Sequence, residues 1–282
     1  MVSKLLLASF LAFLLPLVEN SESLAKDQNN KKVKRVVALT SLSADLVASL
    51  DSSVLVGIPG TSLTENDIRY KGIKRISSGR NQPNLEAIVS LNPDFVIGAS
   101  GFHSKVLDTL KRLGIKTQSF KIDRWSNLIN AAHLLSSKIS NNGKLIDKIN
   151  SLCPESTYLQ DKKERINILI LAGMSPKLSP SKNSWSGSLL ERANLNNVTT
   201  NFKGNSQFSG YITMSNERLL TVNPSKVLIV NPSGSHNDQY SSLSKFFPNL
   251  MRSDFIAFNY YGLINPGSLQ SISGACSKLQ KL

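Results

Sequence analysis

Three histidines are the residues of this chain best suited to metal chemistry. His103 and His236 each follow a β-branched run, Phe95 to Ile97 and Val227 to Val230, and so stand in loops at the ends of candidate strands. Facing each other across a cleft, they could ligate a bare metal ion or a haem iron. A metal site needs several converging ligands. The third histidine, His133, falls in a helical stretch, and carboxylates near either loop are few apart from Asp238. The expectation is therefore no intrinsic metal or cofactor, with His103 and His236 as the alternative. No Gly-rich phosphate loop, nucleophile elbow or paired acid and base is present, so an enzyme is not expected. Cys153 and Cys276 are the only cysteines. In an oxidising compartment they could pair and tie the C-terminal segment to the middle of the chain. Two buried free thiols are the equal alternative, because sequence does not supply the Cα separation.

Export is read from the first residues. Lys4 precedes an apolar run from Leu5 to Val18, interrupted by Ser9 and Pro16, and a small-residue site follows at Ser23 and Ala25. That is the order of a secretory signal. The run is shorter than the roughly 18 residues a spanning helix needs. Residues 1–25 are expected to be removed, leaving a chain without a lipid anchor, since no Cys lies near the cleavage site. The 282 residues carry a net charge of +14 and are 40% hydrophobic, enough for one large or two ordinary domains. The Lys and Arg residues are scattered, apart from Lys31, Lys32, Lys34 and Arg35. No basic helix or aromatic-basic stripe points to nucleic acid.

The elements that must position these residues alternate. Val33–Leu39, Val54–Ile58, Arg75–Ser77, Phe95–Ile97 and Lys116–Phe120 read as strands, separated by helices at Ser43–Leu50, Leu85–Leu91 and Lys105–Leu113. Residues 126–160 contain no strand pattern; Leu128, Ala132, Leu135, Ile139, Ile146 and Ile149 follow helical spacing. Alternation resumes with strands at Ile166–Leu171 and Val227–Val230 and helices at Ser188–Ala193, Asn216–Val222, Ser241–Phe246 and Pro266–Leu279. The expected fold is α/β: two similar Rossmann-like lobes with mainly parallel sheets, 33–125 and 164–282, joined by a helical linker, 126–163, with a ligand cleft between them.

An internal repeat supports the two lobes. A shift of 131 residues places Ser78-Gly79 on Ser209-Gly210, Glu86 on Glu217, Asn92-Pro93 on Asn223-Pro224 and Val96 on Val227. Ile88 falls on Leu219 and Val89 on Leu220. Each copy reads as loop, helix, Asn-Pro stop and buried strand, because proline disfavours helical geometry in the residue before it.

These segments also resemble a known family. The run from Arg35 to Ala44, RVVALTSLSA, is similar to the opening strand and Ser-rich loop of the periplasmic binding proteins that serve vitamin B12, ferric siderophore and haem importers. NLEAIVSLNPDFVI from Asn84 to Ile97, LLERANLNNV from Leu189 to Val198 and ERLLTVNP from Glu217 to Pro224 resemble further segments of that family, in the same order. The resemblance implies a monomeric receptor that hands an iron chelate, haem or cobalamin to an ABC permease dimer. It implies that Glu86 and Glu217, one on each lobe, dock the permease. Equivalent points on a pseudo-symmetric protein suit a symmetric partner. A chelatase-like enzyme or a bare-metal receptor is the alternative. Ser41 is a cleft-loop candidate. Trp185, Tyr211, Tyr260 and Tyr261, with Phe208, are candidate aromatic walls for a flat ligand, and Arg80 and Lys182 candidate partners for an anionic one.

Overall fold

The β-branched runs of the first half fold into five parallel strands: β1 (Val36–Ala38), β2 (Leu55–Pro59), β3 (Lys74–Ser77), β4 (Phe95–Ala99) and β5 (Lys116–Phe120), ordered β3-β2-β1-β4-β5. The computed structural model describes residues 32–78, 81–140, 143–155, 165–173, 175–204, 206, 208–230 and 236–282. The expected signal 1–25 lies outside these residues, as does most of the last stretch of the expected linker. Helices α1 (Ser41–Asp51), α2 (Ser62–Glu65), α3 (Leu85–Ser90) and α4 (Ser104–Arg112) make the crossovers. β1 is buried on both faces, as a central parallel strand must be. Its alternate residues feed two cores: Val36 and Ala38 face the interior of the protein, while Val37 and Leu39 pack under α3 and α4 with Ile88, Val96 and Leu107.

The linker is α5 (Trp125–Ile139) followed by α6 (Lys144–Leu152). The 4-3 spacing is realised: Leu128, Ala132, Leu135 and Ile139 of α5 are buried, with Leu145 and Ile149 of α6, while Ile146 packs at the margin.

The second lobe contains β6 (Asn167–Ala172), β7 (Leu178–Pro180), α7 (Trp185–Arg192), β8 (Asn196–Asn197), β9 (Tyr211–Thr213), α8 (Asn216–Leu220), β10 (Lys226–Val230), α9 (His236–Leu243), β11 (Phe255–Ala257), α10 (Tyr260–Leu263) and α11 (Leu269–Leu279). Its sheet runs β11-β10-β6-β7-β9, with β8 beside β6. β11, β10, β6 and β8 are parallel, whereas β7 is antiparallel to β6 and β9. The polar stretch after Gly173 therefore carries β7, which lies between β6 and the edge strand β9. Pro180 fits there because β7 is only three residues long and ends at it.

The repeat is visible as hydrogen bonds. Asn84 Oδ1 caps α3 by accepting from Ala87 N at 2.9 Å, and Ser215 Oγ caps α8 by accepting from Arg218 N at 3.3 Å. After each Asn-Pro, the next amide opens the strand pairing: Asp94 N donates to Arg35 O at 3.0 Å, and Ser225 N to Asn167 O at 2.8 Å. β4 and β10 then begin and end at matching positions of the 131-residue shift.

One apolar core spans both lobes. It runs from Val36, Ala44 and Val47 through Leu128 and Leu135 to Ile168, Leu189, Ile272 and Leu279. Trp125, the first residue of α5, stacks on Trp185 of α7 with ring centroids 6.1 Å apart, and the Arg192 guanidinium lies 4.3 Å from the Trp125 ring. Cys153 and Cys276 are paired, with Cα atoms 5.4 Å apart, so the end of α6 is bonded to α11. Arg192 also donates to the Cys153 carbonyl and pairs with Glu155 at 2.8 Å. The bridge closes a loop of 123 residues in the unfolded chain. Replacing both cysteines by alanine is expected to lower unfolding free energy by about 2–4 kcal/mol. Urea denaturation of the double variant beside the parent checks this; equal midpoints would refute it.

Candidate functional site

In a parallel sheet, loops and helix N-termini gather beyond the C-terminal ends of the strands. Here those ends border a cleft of about 1590 Å³. Its first wall is Ser41 after β1, Gly60 to Glu65 after β2 and Ser78 after β3; its second is Phe258 to Tyr261 after β11, with Ser268 to Lys278 of α11.

Short-range hydrogen bonds fix the first wall. Thr40 caps α1 by accepting from Ser43 N at 3.1 Å, which sets Ser41 at the helix start. The Ser41 and Thr61 hydroxyls lie 2.8 Å apart. Thr64 Oγ1 donates to Pro59 O at 2.7 Å and accepts from Thr61 N at 3.1 Å, closing the turn into α2. Gly60 N donates to Ser77 O at 2.8 Å, and a Cβ on Gly60 would lie 2.8 Å from that same oxygen, so no side chain fits the approach.

The second wall turns on Gly262, whose φ of +96° is in the left-handed region. A Cβ there would lie 2.1 Å from Ser271 O. The Gly262 amide donates to Asn265 O at 2.7 Å, and its carbonyl accepts from Trp185 Nε1 at 2.7 Å. This turn presents Tyr260 and Tyr261, which meet edge to face at 5.4 Å and stay partly exposed in the cleft. Burial raises the Tyr260 phenol above its usual range.

Behind the cleft, Asp45 is only 4% exposed. Its carboxylate accepts from Arg69 Nη1 at 2.8 Å and from Leu269 N, on the other lobe, at 2.7 Å. Arg69 also pairs with Asp67 at 2.5 Å, and its hydrogen bond holds the Asp67 carboxyl below the usual carboxylate range. Lys278 donates to the Ala257 carbonyl, with its ammonium 4.6 Å from the Phe258 ring. The charged residues of the wall are thus Asp45, Glu65 and Asp67 against Arg69 and Lys278. Despite the chain's net charge of +14, this wall is not basic.

The expected site residues separate into groups. Ser41, Tyr260 and Tyr261 line one cleft. Trp185 does not: it is 3% exposed, a core residue that joins the lobes. Its hydrophobic type suited a cleft wall equally well, but α7 starts three residues earlier than expected, at a Ser184 cap, and turns the indole inward. Tyr211 is half-buried, its hydroxyl 3.1 Å from both Ser186 Oγ and Ile264 O, and burial pushes the phenol up to about 12. With the exposed Phe208 it borders a separate hollow of about 450 Å³. Lys182 is exposed and lies outside the cleft wall, and Arg80 lies outside the described residues.

His103 is not an exposed loop residue. It is buried, and its Nδ1 accepts from Ala99 N at 3.0 Å. His236 opens α9. Among the described residues, no group of three or more His, Cys, Asp or Glu side chains could hold a metal ion. Sequence reasoning missed Asp45, Arg69 and Asp67. Asp45 had a signal: it is the one charged residue in the predicted helix Ser43–Leu50, which is otherwise small or apolar.

Burial lowers the His103 pKa from the usual 6.5. The unfolded chain therefore takes up a proton near pH 6.5 that the folded chain resists. Stability from this group is full above that pH and falls as pH drops toward the folded value. His103→Asn, which keeps an acceptor near the Nδ1 position, is expected to flatten this acid limb of a melting-temperature profile. An unchanged slope between pH 7 and 5 would contradict the assignment.

Two sheet-based lobes around a preformed cleft, fused by a helical linker, define a receptor that encloses a solute. The chain belongs to the periplasmic binding protein family, whose model matches residues 36–247. This is a family of exported substrate-binding proteins rather than enzymes, and its small-molecule ligands are cargo, not intrinsic cofactors. Among solved structures, an ABC transporter substrate-binding protein from Listeria monocytogenes EGD-e is 20% identical, with a TM-score of 0.70 over 89% of this chain and 98% of that one. The periplasmic vitamin B12 binding protein of Vibrio cholerae is 15% identical, with a TM-score of 0.66 over 88% and 97%. S. aureus IsdE, complexed with heme, is 20% identical, with a TM-score of 0.63 over 87% and 97%. At these identities the likeness is one of fold. No curated protein matches in sequence. Among the described residues, no helix is long and apolar enough to cross a membrane.

Proposed function

We propose that this protein captures a bulky chelate or macrocycle (cobalamin, haem or a ferric siderophore) and delivers it to a dimeric ABC permease. The observation that carries this reading is the cleft itself: about 1590 Å³, walled by both lobes and bearing two partly exposed tyrosines. Aromatic faces suit a flat macrocycle, and the hydroxyls of Ser41, Thr61, Ser62 and Ser268 suit amide and carbonyl acceptors on its rim. The acid–base balance of the wall favours a chelate without strong negative charge, which puts cobalamin ahead of haem and of anionic ferric siderophores. On this reading residues 1–25 are removed on export, and lobes 33–125 and 164–282 act as a monomer around the linker 126–163.

A ligand that binds only the folded state raises its melting temperature by mass action. A thermal-shift screen of the mature protein against cobalamin, hemin, a ferric siderophore and free divalent metals should show a rise with cobalamin first. At a hundredfold excess over Kd the stabilisation is about 2.7 kcal/mol. Tyr260→Ala with Tyr261→Ala should remove most of the rise. No shift with any of the four classes would defeat the ligand reading.

Glu86 and Glu217 are both exposed, each in the first turn of its capped helix, at equivalent points of the repeat. A hydrogen bond from the Ser215 hydroxyl holds the Glu217 carboxyl below its usual range. Both α3 and α8 precede strands parallel to their lobe's central strand, so their N-termini lie at the end of each sheet where the cleft opens. Docking there places the cleft against the permease. Glu86→Ala with Glu217→Ala should abolish uptake and permease association while leaving the ligand-induced melting shift intact; uptake at the parental rate would remove the docking assignment.

A further inference from the structure

The described residues include nine large apolar side chains that stay exposed: Ile68, Val89, Phe102, Leu113, Phe208, Leu220, Met251, Tyr260 and Tyr261. Applying the 131-residue shift to each, one pair superposes: Val89 on Leu220. Val89 is 37% exposed and Leu220 is 68% exposed. They sit on α3 and α8, the helices that bear Glu86 and Glu217. In both helices the apolar residue follows the glutamate by three positions, so carboxylate and apolar side chain share one face. In both, the residue just before the apolar one, Ile88 or Leu219, is fully buried and anchors the helix to its sheet. The same two-part pattern is therefore displayed twice, once per lobe, on helices with equivalent caps.

Resting on the docking reading above, we infer that each docking point is a two-part contact: Glu86 with Val89 on one lobe, and Glu217 with Leu220 on the other. The partner it fits is the permease dimer, offering twice, by its two-fold symmetry, a basic side chain beside an apolar seat. Charge complementarity selects the basic group. The duplication selects a symmetric partner rather than a single peptide or a ligand. The division of labour follows from the physics of each part: exposed charges mainly steer and orient the encounter, whereas burial of apolar surface lengthens the life of the complex.

A photoreactive benzoylphenylalanine placed at position 89 or at position 220 of the full chain, in its source cell, tests the geometry. Both positions should crosslink to one multi-spanning permease subunit, and both adducts should vanish in the Glu86→Ala, Glu217→Ala background. Adducts with different proteins, or with a second copy of this chain, would overturn the inference. The energetics are read separately, by binding to that permease in nanodiscs. Val89→Ser with Leu220→Ser should weaken binding about tenfold, through a faster off-rate, with melting temperature and ligand shift unchanged. Unchanged affinity in this variant, alongside lost binding in the glutamate variant, would sink the apolar half and leave the carboxylate docking standing. Unchanged affinity in the glutamate variant would sink both.

Discussion

The two lobes are held together by α5, a helix that contributes no residue to the cleft wall. Leu128, Ala132 and Leu135 of α5 are fully buried, in the one core that continues from the first sheet into the second. A fully buried Leu or Ile is worth roughly 1.5–3 kcal/mol relative to exposure. Swinging the lobes far apart would expose several such side chains, together with the Trp125–Trp185 stack and the Asp45–Leu269 hydrogen bond. A ligand shifts a conformational equilibrium only by its differential affinity for the two states. Large opening would cost more than such differences usually supply, so small rotations about a fused interior are the motion this architecture permits. The disulfide from α6 to α11 adds a covalent tie on the same side.

A preformed cleft moves the burden of recognition onto its walls. Little ordering entropy is lost when a ligand enters a site that is already assembled. Discrimination then rests on what the walls present. Here the charged groups largely satisfy one another: Asp45 is occupied by Arg69 and by an amide, and Arg69 by Asp67. What the walls leave open includes two phenol rings, a set of hydroxyls, the side-chain amides of Asn66, Asn259 and Gln270, and the exposed Glu65 carboxylate. The balance of a whole chain at +14 and a cleft wall with more acids than bases shows that net charge describes the outer surface here, not the site.

Residue order carried the architecture further than it carried the site. The lobes were legible because two periodicities and an Asn-Pro stop recur at one offset, and each has a direct backbone consequence: a capped helix, a lost donor, a strand opened by the next amide. The linker was legible because its buried face repeats every three to four residues. β7 and β9 were not, because three-residue strands carry no measurable alternation. Trp185 was misplaced for a different reason. An indole suits a core and a cleft wall equally, and only the Ser184 cap, which starts α7 early, decides which way it faces. His103 shows the same ambiguity: its position after β4 was read correctly, but the inward hydrogen bond from Ala99 is a tertiary fact. For the cysteines, the alternatives left open by sequence were resolved by a Cα separation of 5.4 Å.

The places where the lobes stay alike and where they diverge have a physical logic. α3–β4 and α8–β10 match in N-cap position, helix start, strand bounds and first strand hydrogen bonds. The strands on the far side of β1 and β6 do not: β2 and β3 continue a parallel sheet, whereas β7 and β9 run the other way relative to their neighbours. A two-fold partner demands equivalence only of the surfaces it touches. A solute in the cleft imposes no such symmetry, and the cleft walls are correspondingly unlike: hydroxyls and an acidic loop on one side, a tyrosine pair on the other. The protein is thus pseudo-symmetric where it would meet a symmetric machine and asymmetric where it would meet an asymmetric ligand, and the shared core lets both faces be held in one rigid frame.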